Sequence, residues 1–486
     1  MLARAGSIVC WWLLGCHAVA APVAPPAALP PDVATAMDRA RVPREALSAV
    51  VQALDRNAPA RLSWQAQAAV NPASLMKLFT TYAALDLLGP AWTWTTPVWL
   101  QGALPGGSNG VFEGDVVIKG SGDPKLVVER VWLLLRRLQQ LGVREIRGDI
   151  VLDRSAFEVP EQSPADFDGE ALRPYNVRAD ALLLNYKALS FTFTPDPAHG
   201  VAVISTEPAL EGVRADARVP LAAGIGATQC NDWRSALQAD FSDPLRLRFK
   251  GLYSPACGET QWPVAYADPA RYNERLLAGL WAEMGGKLTG SVRDGVAPAT
   301  APTFELASPP LAEVIRDINK FSNNVMAQQL FLTLALSKRG VGAPDGAREV
   351  LRGWLSERYG EAGQAAVIDN GSGLSRETRV SAGLLARLLQ DAAASALMPE
   401  LMASLPVSGV DGTMRRAQAL TGRAHLKTGS LRDVTAVAGY VLAPSGRRYV
   451  LVGIVNHPNA SAARPALEAL IQWAASEGQA AGPDRK

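Results

Sequence analysis

Apolar positions recur at helical spacing in three stretches of the chain. The first covers residues 78–88 and ends at Gly89–Pro90, and the others are Leu311–Ile318 and Val325–Leu336. Residues three and four apart share one face of a helix, and Gly followed by Pro ends one. The pattern therefore predicts three helices, the last two joined by a short polar link.

Other segments have the short, turn-bounded pattern of β-strands. Val434–Leu442 and Arg448–Asn456 flank Pro444–Gly446 and predict a hairpin. Between Thr95 and Asp268, Gly and Pro interrupt a series of short β-like runs, with one predicted helix near residues 126–141. These runs are Val111–Lys119, Arg147–Leu152, Val201–Ser205 and Leu245–Lys250.

Composition and charge narrow the class of protein. A chain of 486 residues with 48% apolar and 19% charged residues is a folded protein, and its length favours two or three domains. The net charge is only +2, and no basic stripe is present. Nucleic acid is excluded as a partner because binding phosphates requires clustered Lys and Arg.

Residues 1–21 have the pattern of a signal peptide, with Arg4, an apolar stretch over 7–15 and the small residues Ala18–Ala20. The stretch is too short to span a membrane, and no other segment is long enough. Residues 13–16 also resemble the lipobox of bacterial lipoproteins, so a lipid tether at Cys16 stays open. Either route predicts export to the periplasm.

Cysteine and histidine are scarce in the predicted mature chain. Cys230 and Cys257 remain as an isolated pair, and a disulfide is expected in an oxidising compartment, with two buried thiols as the alternative. His199, His425 and His457 have no metal-ligand spacing, so we expect neither a metal site nor a cofactor.

The strongest candidate for chemistry is Ser74-x-x-Lys77 at the start of the first predicted helix. The two side chains lie one turn apart on one face. Burial would lower the pKa of Lys77, so that a neutral amine could take the proton of Ser74. Taken alone, the pattern also fits an N-cap serine before a solvated lysine.

Two further motifs follow in order. Ser322-x-Asn324 falls in the predicted interhelical link, and Lys427–Ser430 precedes the predicted hairpin. Each has an ordinary structural explanation by itself, as a polar connection or the end of an edge strand. Together with Ser74-x-x-Lys77, they resemble the signature set of the penicillin-recognising serine enzymes.

Three other segments make the resemblance more specific. Gly120–Leu126, Asp369–Ser375 and Leu405–Thr413 resemble the low-molecular-mass class C penicillin-binding proteins, a family of D-alanyl-D-alanine carboxypeptidases and endopeptidases. The likeness covers nearly all of the predicted mature chain.

The resemblance implies an α/β (α+β) multidomain fold. A β-lactamase/transpeptidase-like catalytic domain, with helices packed on an antiparallel sheet, would comprise residues 32–94 and 269–476. The first two motifs are 248 residues apart, which leaves room for a mostly β insertion, of one or two subdomains, at 95–268. Residues 477–486 are expected to be a disordered tail.

The resemblance also assigns roles. Ser74 would be the acylated nucleophile and Lys77 its proton acceptor, while Ser322 and Asn324 would bridge the proton path and hold the substrate amide. The segment Lys427, Thr428, Gly429 and Ser430 would bind the substrate carboxylate, and the N–H groups of Ser74 and Ser430 would form the oxyanion hole.

The implied partners are peptidoglycan stem peptides and β-lactams. The protein itself is expected to be a monomer or a homodimer. A β-lactamase is one alternative, although no Glu-x-x-x-Asn sequence lies between Ser322 and Lys427. A catalytically silent peptidoglycan-binding protein is the other.

Near the predicted site, His425 is a candidate for lining it, and Gly371–Gly373 is expected to form a turn. Gly106–Gly110 matches Gly-x-Ser-x-Gly but lacks the flanking strand and helix.

Overall fold

The computed structural model of the chain describes residues 28–55, 58–105 and 109–476. The predicted signal peptide, Cys16, the predicted tail and the first three residues of Gly106–Gly110 lie outside the described residues. Within the described ranges, no helix combines the length and the apolar character that crossing a membrane requires.

The helices are, in chain order, α1 (Pro31–Arg39), α2 (Met76–Leu88), α3 (Val128–Gln140), α4 (Trp233–Ala236), α5 (Tyr272–Glu283), α6 (Leu311–Lys320), α7 (Asn324–Arg339), α8 (Pro344–Tyr359), α9 (Glu361–Gln364), α10 (Ala382–Ala394), α11 (Met398–Ser404) and α12 (Arg464–Ala475).

The strands are β1 (Leu47–Ala53), β2 (Leu62–Trp64), β3 (Thr95–Gln101), β4 (Val111–Phe112), β5 (Asp115–Lys119), β6 (Glu145–Ile146), β7 (Ile150–Asp153), β8 (Ala188–Asp196), β9 (Val201–Glu207), β10 (Arg214–Ala215), β11 (Arg218–Pro220), β12 (Ala239–Asp240), β13 (Arg246–Phe249), β14 (Thr260–Ala265), β15 (Lys287–Leu288), β16 (Val292–Asp294), β17 (Phe304–Ala307), β18 (Ala424–Leu431), β19 (Val434–Leu442) and β20 (Arg448–Asn456).

An antiparallel sheet with strand order β18-β19-β20-β1-β2 separates two apolar cores. Along β19, Ala436, Ala438 and Tyr440 face the core built by α2, α6, α7, α8 and α10. Val437 and Val441 face the opposite core, built by α1 and α12. The strand is buried on both faces because side chains alternate between two layers of helices.

The central part of the chain forms smaller sheets around a separate apolar core. Strands β5 and β7 run parallel and are joined through α3, whereas β8, β9, β11 and β14 form an antiparallel sheet. The predicted mostly β character is seen here, together with the predicted helix, which spans Val128–Gln140.

The predicted end of the insertion at residue 268 does not coincide with the end of these sheets. Strands β15 and β16 pair with β6 and β7, and β17 pairs with β3. Helix α5 also packs into the same core, through Tyr272 and Trp281. We therefore propose that the insert runs from about residue 95 to 307, with the catalytic domain resuming at α6.

A disulfide joins Cys230 to Cys257 inside the insert, with the two Cα atoms 4.7 Å apart. Beside it lies a cluster of aromatic rings that includes Phe193, Phe249 and Tyr253, whose centroids are 5.2–5.5 Å apart in adjacent pairs. The bridge thus links two loops over an aromatic part of the core.

A buried amide pair fixes the insert against α7. The Asp180 N–H donates to Gln329 Oε1 at 3.0 Å, and Gln329 Nε2 donates to the Asp180 carbonyl at 2.8 Å. Gln329 is fully buried, so water cannot replace either hydrogen bond.

We predict that Gln329→Leu lowers the free energy of unfolding by about 3 kcal/mol, because it leaves a buried donor and a buried acceptor on Asp180 unpaired. Urea denaturation measures the change. Gln364→Leu, at an exposed position on α9, is the matched control and should stay within about 0.5 kcal/mol. Equal effects of the two substitutions would contradict the prediction.

Candidate active site

Ser74 lies in a tight helical turn, Ala73–Leu75, that leads directly into α2. Ala73 has a left-handed backbone, with φ +46°, and its N–H donates to Asn71 Oδ1 at 2.9 Å. Asn71 exchanges two further hydrogen bonds with the Asn456 side chain, of 2.7 and 3.0 Å. The end of β20 therefore holds the turn in a conformation that a non-glycine residue seldom adopts.

Lys77 is fully buried and contacts three oxygen atoms. Its Nζ is 3.0 Å from Ser74 Oγ, 2.7 Å from Asn324 Oδ1 and 2.6 Å from the Ser372 carbonyl. Burial, and secondarily the charge of Lys427, holds the pKa of Lys77 well below its ordinary value. The amine is therefore poised to be neutral.

A neutral Lys77 has two hydrogens and one lone pair, and its partners can be divided accordingly. Asn324 Oδ1 and the Ser372 carbonyl can only accept, so they take the two hydrogens. Asn324 is held in this orientation because its Nδ2 donates to the Tyr175 carbonyl at 3.1 Å. The lone pair is left for the hydroxyl of Ser74, which is the geometry of a general base.

A second buried lysine lies beside the first. Lys427 Nζ donates to Ser322 Oγ at 2.8 Å and to the Thr428 carbonyl at 2.7 Å. Burial lowers its pKa to about 7. Ser322 reaches Lys427 from the link between α6 and α7, where its own φ is +55°.

Glycine at position 429 allows β18 to pass close to the Ser74 turn. A Cβ placed on Gly429 would lie 2.8 Å from the Pro72 carbonyl oxygen and 3.3 Å from Ala73 Cβ. Any larger residue would push the strand away, so this glycine sets the width of the site.

These groups open into a cleft of about 1000 Å³. The part of the chain outside the proposed insert contributes Ser74, Ser322, Asn324 and Ser430 to its walls, and the proposed insert contributes Phe167, Asp168, Glu170 and Tyr175. Arg376, Arg379 and Arg432 also line the cleft, so both charge signs are present.

The structure brings Ser74, Lys77 and Asn324 into one network, and Ser322 and Lys427 into an adjoining one. Thr428 Oγ1 donates to Thr413 Oγ1 at 2.7 Å, outside both networks. Gly371–Gly373 forms a turn at the edge of the site, and it supplies the Ser372 carbonyl.

His425 lies outside the cleft lining. It is half-buried with Nδ1 3.3 Å from the Met402 carbonyl, and burial lowers its pKa. Three groups that the motifs did not identify complete the site: the carbonyls of Tyr175 and Ser372 and the side chain of Asn456. Within the described ranges, no three His, Cys, Asp or Glu residues are grouped as metal ligands.

Comparisons with known proteins identify the family of the chain. The D-Ala-D-Ala carboxypeptidase 3 (S13) family matches residues 31–477. A D-alanyl-D-alanine carboxypeptidase of Actinomadura sp. (strain R39) is 30% identical over 425 residues, which are 82% of this chain and 76% of the relative.

Solved structures show the same fold. Penicillin binding protein 4 from Haemophilus influenzae is 21% identical, covers 90% of this chain and 99% of its own, and superposes with a TM-score of 0.70. The same protein complexed with a novel β-lactam is 22% identical, with 91% and 98% covered and a TM-score of 0.67.

The fold is thus that of the penicillin-recognising, transpeptidase-like proteins with an inserted region, which confirms the predicted fold class. The chain belongs to the D-Ala-D-Ala carboxypeptidase 3 (S13) family and is a peptidase of that class. The resemblance to low-molecular-mass class C penicillin-binding proteins is confirmed with it.

The buried Lys77 predicts a distinctive pH dependence of stability. Its pKa is near 10.5 when unfolded and far lower when folded. Between those values the unfolded chain binds one more proton, so stability falls as pH falls, by up to about 1.4 kcal/mol per pH unit. We predict that Lys77→Met removes this contribution, so that its stability relative to wild type increases from pH 10 to pH 8.

Denaturation curves at several pH values measure the difference. Lys338→Met, at an exposed position near the end of α7, is the control and should follow wild type throughout. A constant offset between Lys77→Met and wild type over this pH range would show that Lys77 keeps its proton in the folded protein.

Proposed function

We propose that this peptidase is a serine-type D-alanyl-D-alanine carboxypeptidase and/or endopeptidase that acts on peptidoglycan stem peptides through a Ser74 acyl-enzyme. The observation that carries the proposal is the buried Lys77 amine, 3.0 Å from Ser74 Oγ, whose other two partners are obligate acceptors. This arrangement activates a hydroxyl without histidine or metal.

In the acylation step, Ser74 Oγ attacks the carbonyl carbon of the penultimate D-alanine, and the hydroxyl proton passes to Lys77. The N–H groups of Ser74 and Ser430 would stabilise the oxyanion. When the C–N bond breaks, the leaving amine takes up the proton, with the Ser322 hydroxyl on its route. Water then attacks the ester and releases the tetrapeptide and Ser74.

Lys427 and Thr428 would bind the carboxylate of the terminal residue. The Lys427 ammonium supplies a compact positive charge, and the Thr428 hydroxyl supplies a neighbouring donor. The same pair suits the carboxylate of a β-lactam. The β-lactam complex of the similar Haemophilus influenzae protein supports β-lactam inhibition, and the predicted signal peptide supports action in the periplasm.

The proposal is tested with penicillin and with a pentapeptide that ends in D-alanyl-D-alanine. Wild type should form a long-lived penicilloyl adduct on Ser74, seen by intact-mass and peptide mass spectrometry, and should release D-alanine. We predict that Ser74→Ala loses the adduct and lowers D-alanine release by about 10³-fold or more. Ser337→Ala, at an exposed position on α7, is the control.

The alternatives give different results in the same experiment. Rapid multiple turnover of penicillin by wild type would indicate a β-lactamase. Absence of both adduct and D-alanine release in wild type would indicate a peptidoglycan-binding protein without catalysis.

Lys427 predicts a pH effect that depends on the substrate carboxylate. Its pKa of about 7 means that the free enzyme loses the ammonium charge as pH rises through neutrality. We predict that kcat/KM for a carboxylate-terminated substrate falls about tenfold between pH 7 and 9, the worth of one charge-assisted hydrogen bond. The kcat value should stay flat, because a bound carboxylate keeps Lys427 protonated.

Steady-state kinetics with the free and the C-terminally amidated pentapeptide separate this effect from others. The amidated substrate has no carboxylate and should be poor at every pH, without the additional fall above pH 7. Parallel pH profiles for the two substrates would refute the assignment of Lys427 to the carboxylate.

A further inference from the structure

A second cavity, of about 340 Å³, adjoins the catalytic cleft along β18. Thr428, Gly429 and Ser430 form one wall of this cavity, and Ser430 lines the catalytic cleft as well. The opposite walls come from α12 and from the segment that follows Thr413. The cavity is thus reached from the cleft by passing the strand that carries Lys427.

The cavity combines an apolar floor with charged side chains. Leu467 and Ile471 of α12 form part of the floor, and Arg416, Arg464 and Glu468 lie at the exposed rim. Neither arginine makes an ion pair or a side-chain hydrogen bond to any of the residues that the structure describes. Two unengaged guanidinium groups against one carboxylate favour an acidic ligand with some apolar surface.

We infer that this cavity is a subsite for the leaving stem peptide when the enzyme cleaves a cross-link, which makes it an endopeptidase determinant. The inference rests on the proposed function. If Lys427 and Thr428 hold the carboxylate of the leaving residue, the leaving side of the cleft is at β18. The cavity bounded by Thr428 and Ser430 is then the adjoining space for a leaving group that continues beyond this residue.

The two substrates differ in what continues beyond the scissile bond. In a pentapeptide, the leaving group is one D-alanine, which ends at its own carboxylate and does not extend past Lys427 and Thr428. In a cross-link, the leaving amine belongs to a side chain of a second stem peptide, which carries several carboxylates. Arg416 and Arg464 are placed to bind those carboxylates, and Glu468 can accept a peptide N–H.

The chemistry is the same in both cases. The bond between the D-alanyl carbonyl and the leaving nitrogen breaks as the Ser74 ester forms, and the proton taken by Lys77 goes to the leaving amine. Only the size and charge of the leaving group change. The cavity therefore affects binding and acylation of cross-linked substrates, without altering the groups that react.

The test compares two purified substrates, a pentapeptide monomer and a cross-linked tetrapeptide dimer released from peptidoglycan by muramidase. We expect Arg416→Ala/Arg464→Ala to lower kcat/KM for the dimer at least tenfold, mainly through KM, and to keep the monomer value within twofold. Arg39→Ala/Arg448→Ala removes the same charge at exposed positions outside the cavity and should affect neither substrate.

A second variant tests whether filling the cavity with a large side chain blocks binding of the leaving peptide. Ala417→Trp places a large ring at the half-buried wall of the cavity and should lower dimer cleavage selectively, provided that its melting temperature shows it is folded. Equal loss on both substrates, or unaffected dimer cleavage in the arginine variant, would overturn the inference.

The wild-type enzyme separates this inference from the proposed function. Release of D-alanine without any dimer cleavage would overturn the leaving-peptide subsite and leave the carboxypeptidase assignment standing. Inactivity on both substrates would overturn the proposed function itself.

Discussion

The burial of two lysine side chains next to each other is the constraint on which the site depends. Lys77 and Lys427 are both fully buried. Among the described residues, neither of them has a carboxylate partner. A buried ammonium without a counter-ion is costly, and each pKa falls as a result. The fold must therefore supply neutral oxygen acceptors at fixed positions, and it draws them from separate elements.

Those acceptors can be held in place only if the elements approach closely. A Cβ on Gly373 would lie 1.9 Å from the Ala73 carbonyl oxygen, and this glycine has φ +77°. The turn that presents the Ser372 carbonyl to Lys77 thus rests directly on the turn that carries Ser74. On the other side of this turn, Gly429 allows β18 to pack directly against it. Small residues around Ser74 accordingly set the distances between Ser74, Lys77 and the elements that surround them.

Much of this arrangement was predictable from the sequence, where the signals are local. The hairpin prediction matches β19 and β20 to the residue, and the first apolar run matches α2, which spans Met76–Leu88. The proposed end of the insert, near residue 307, differs from the predicted end at 268. Strands β15, β16 and β17 pair with strands far earlier in the chain, and no local sequence feature marks that pairing. The order of the motifs is visible in the sequence, and the family resemblance supplied their expected roles.

The groups that the motifs missed are mostly backbone atoms. Every residue type has a backbone carbonyl, so no sequence pattern can distinguish those of Tyr175 and Ser372. Their positions come from tertiary packing: an insert loop contacts the start of α7, and a turn between α9 and α10 contacts α2. A sequence can therefore indicate candidate side chains for a site, whereas the carbonyls that orient them are found only in the structure.

The Tyr175 carbonyl connects the insert to the hydrogen-bond network around Lys77. If the Asn324 amide were reversed, its NH₂ would face Lys77, and the lysine could accept that hydrogen only with the lone pair that Ser74 needs. Tyr175 opposes this reversal by accepting from Asn324 Nδ2. Its loop is itself held by Asp168, which accepts from the Tyr175 hydroxyl at 2.9 Å and from Asn176 Nδ2 at 2.7 Å. The insert thus holds Asn324 Oδ1 towards Lys77, and it also forms a wall of the cleft.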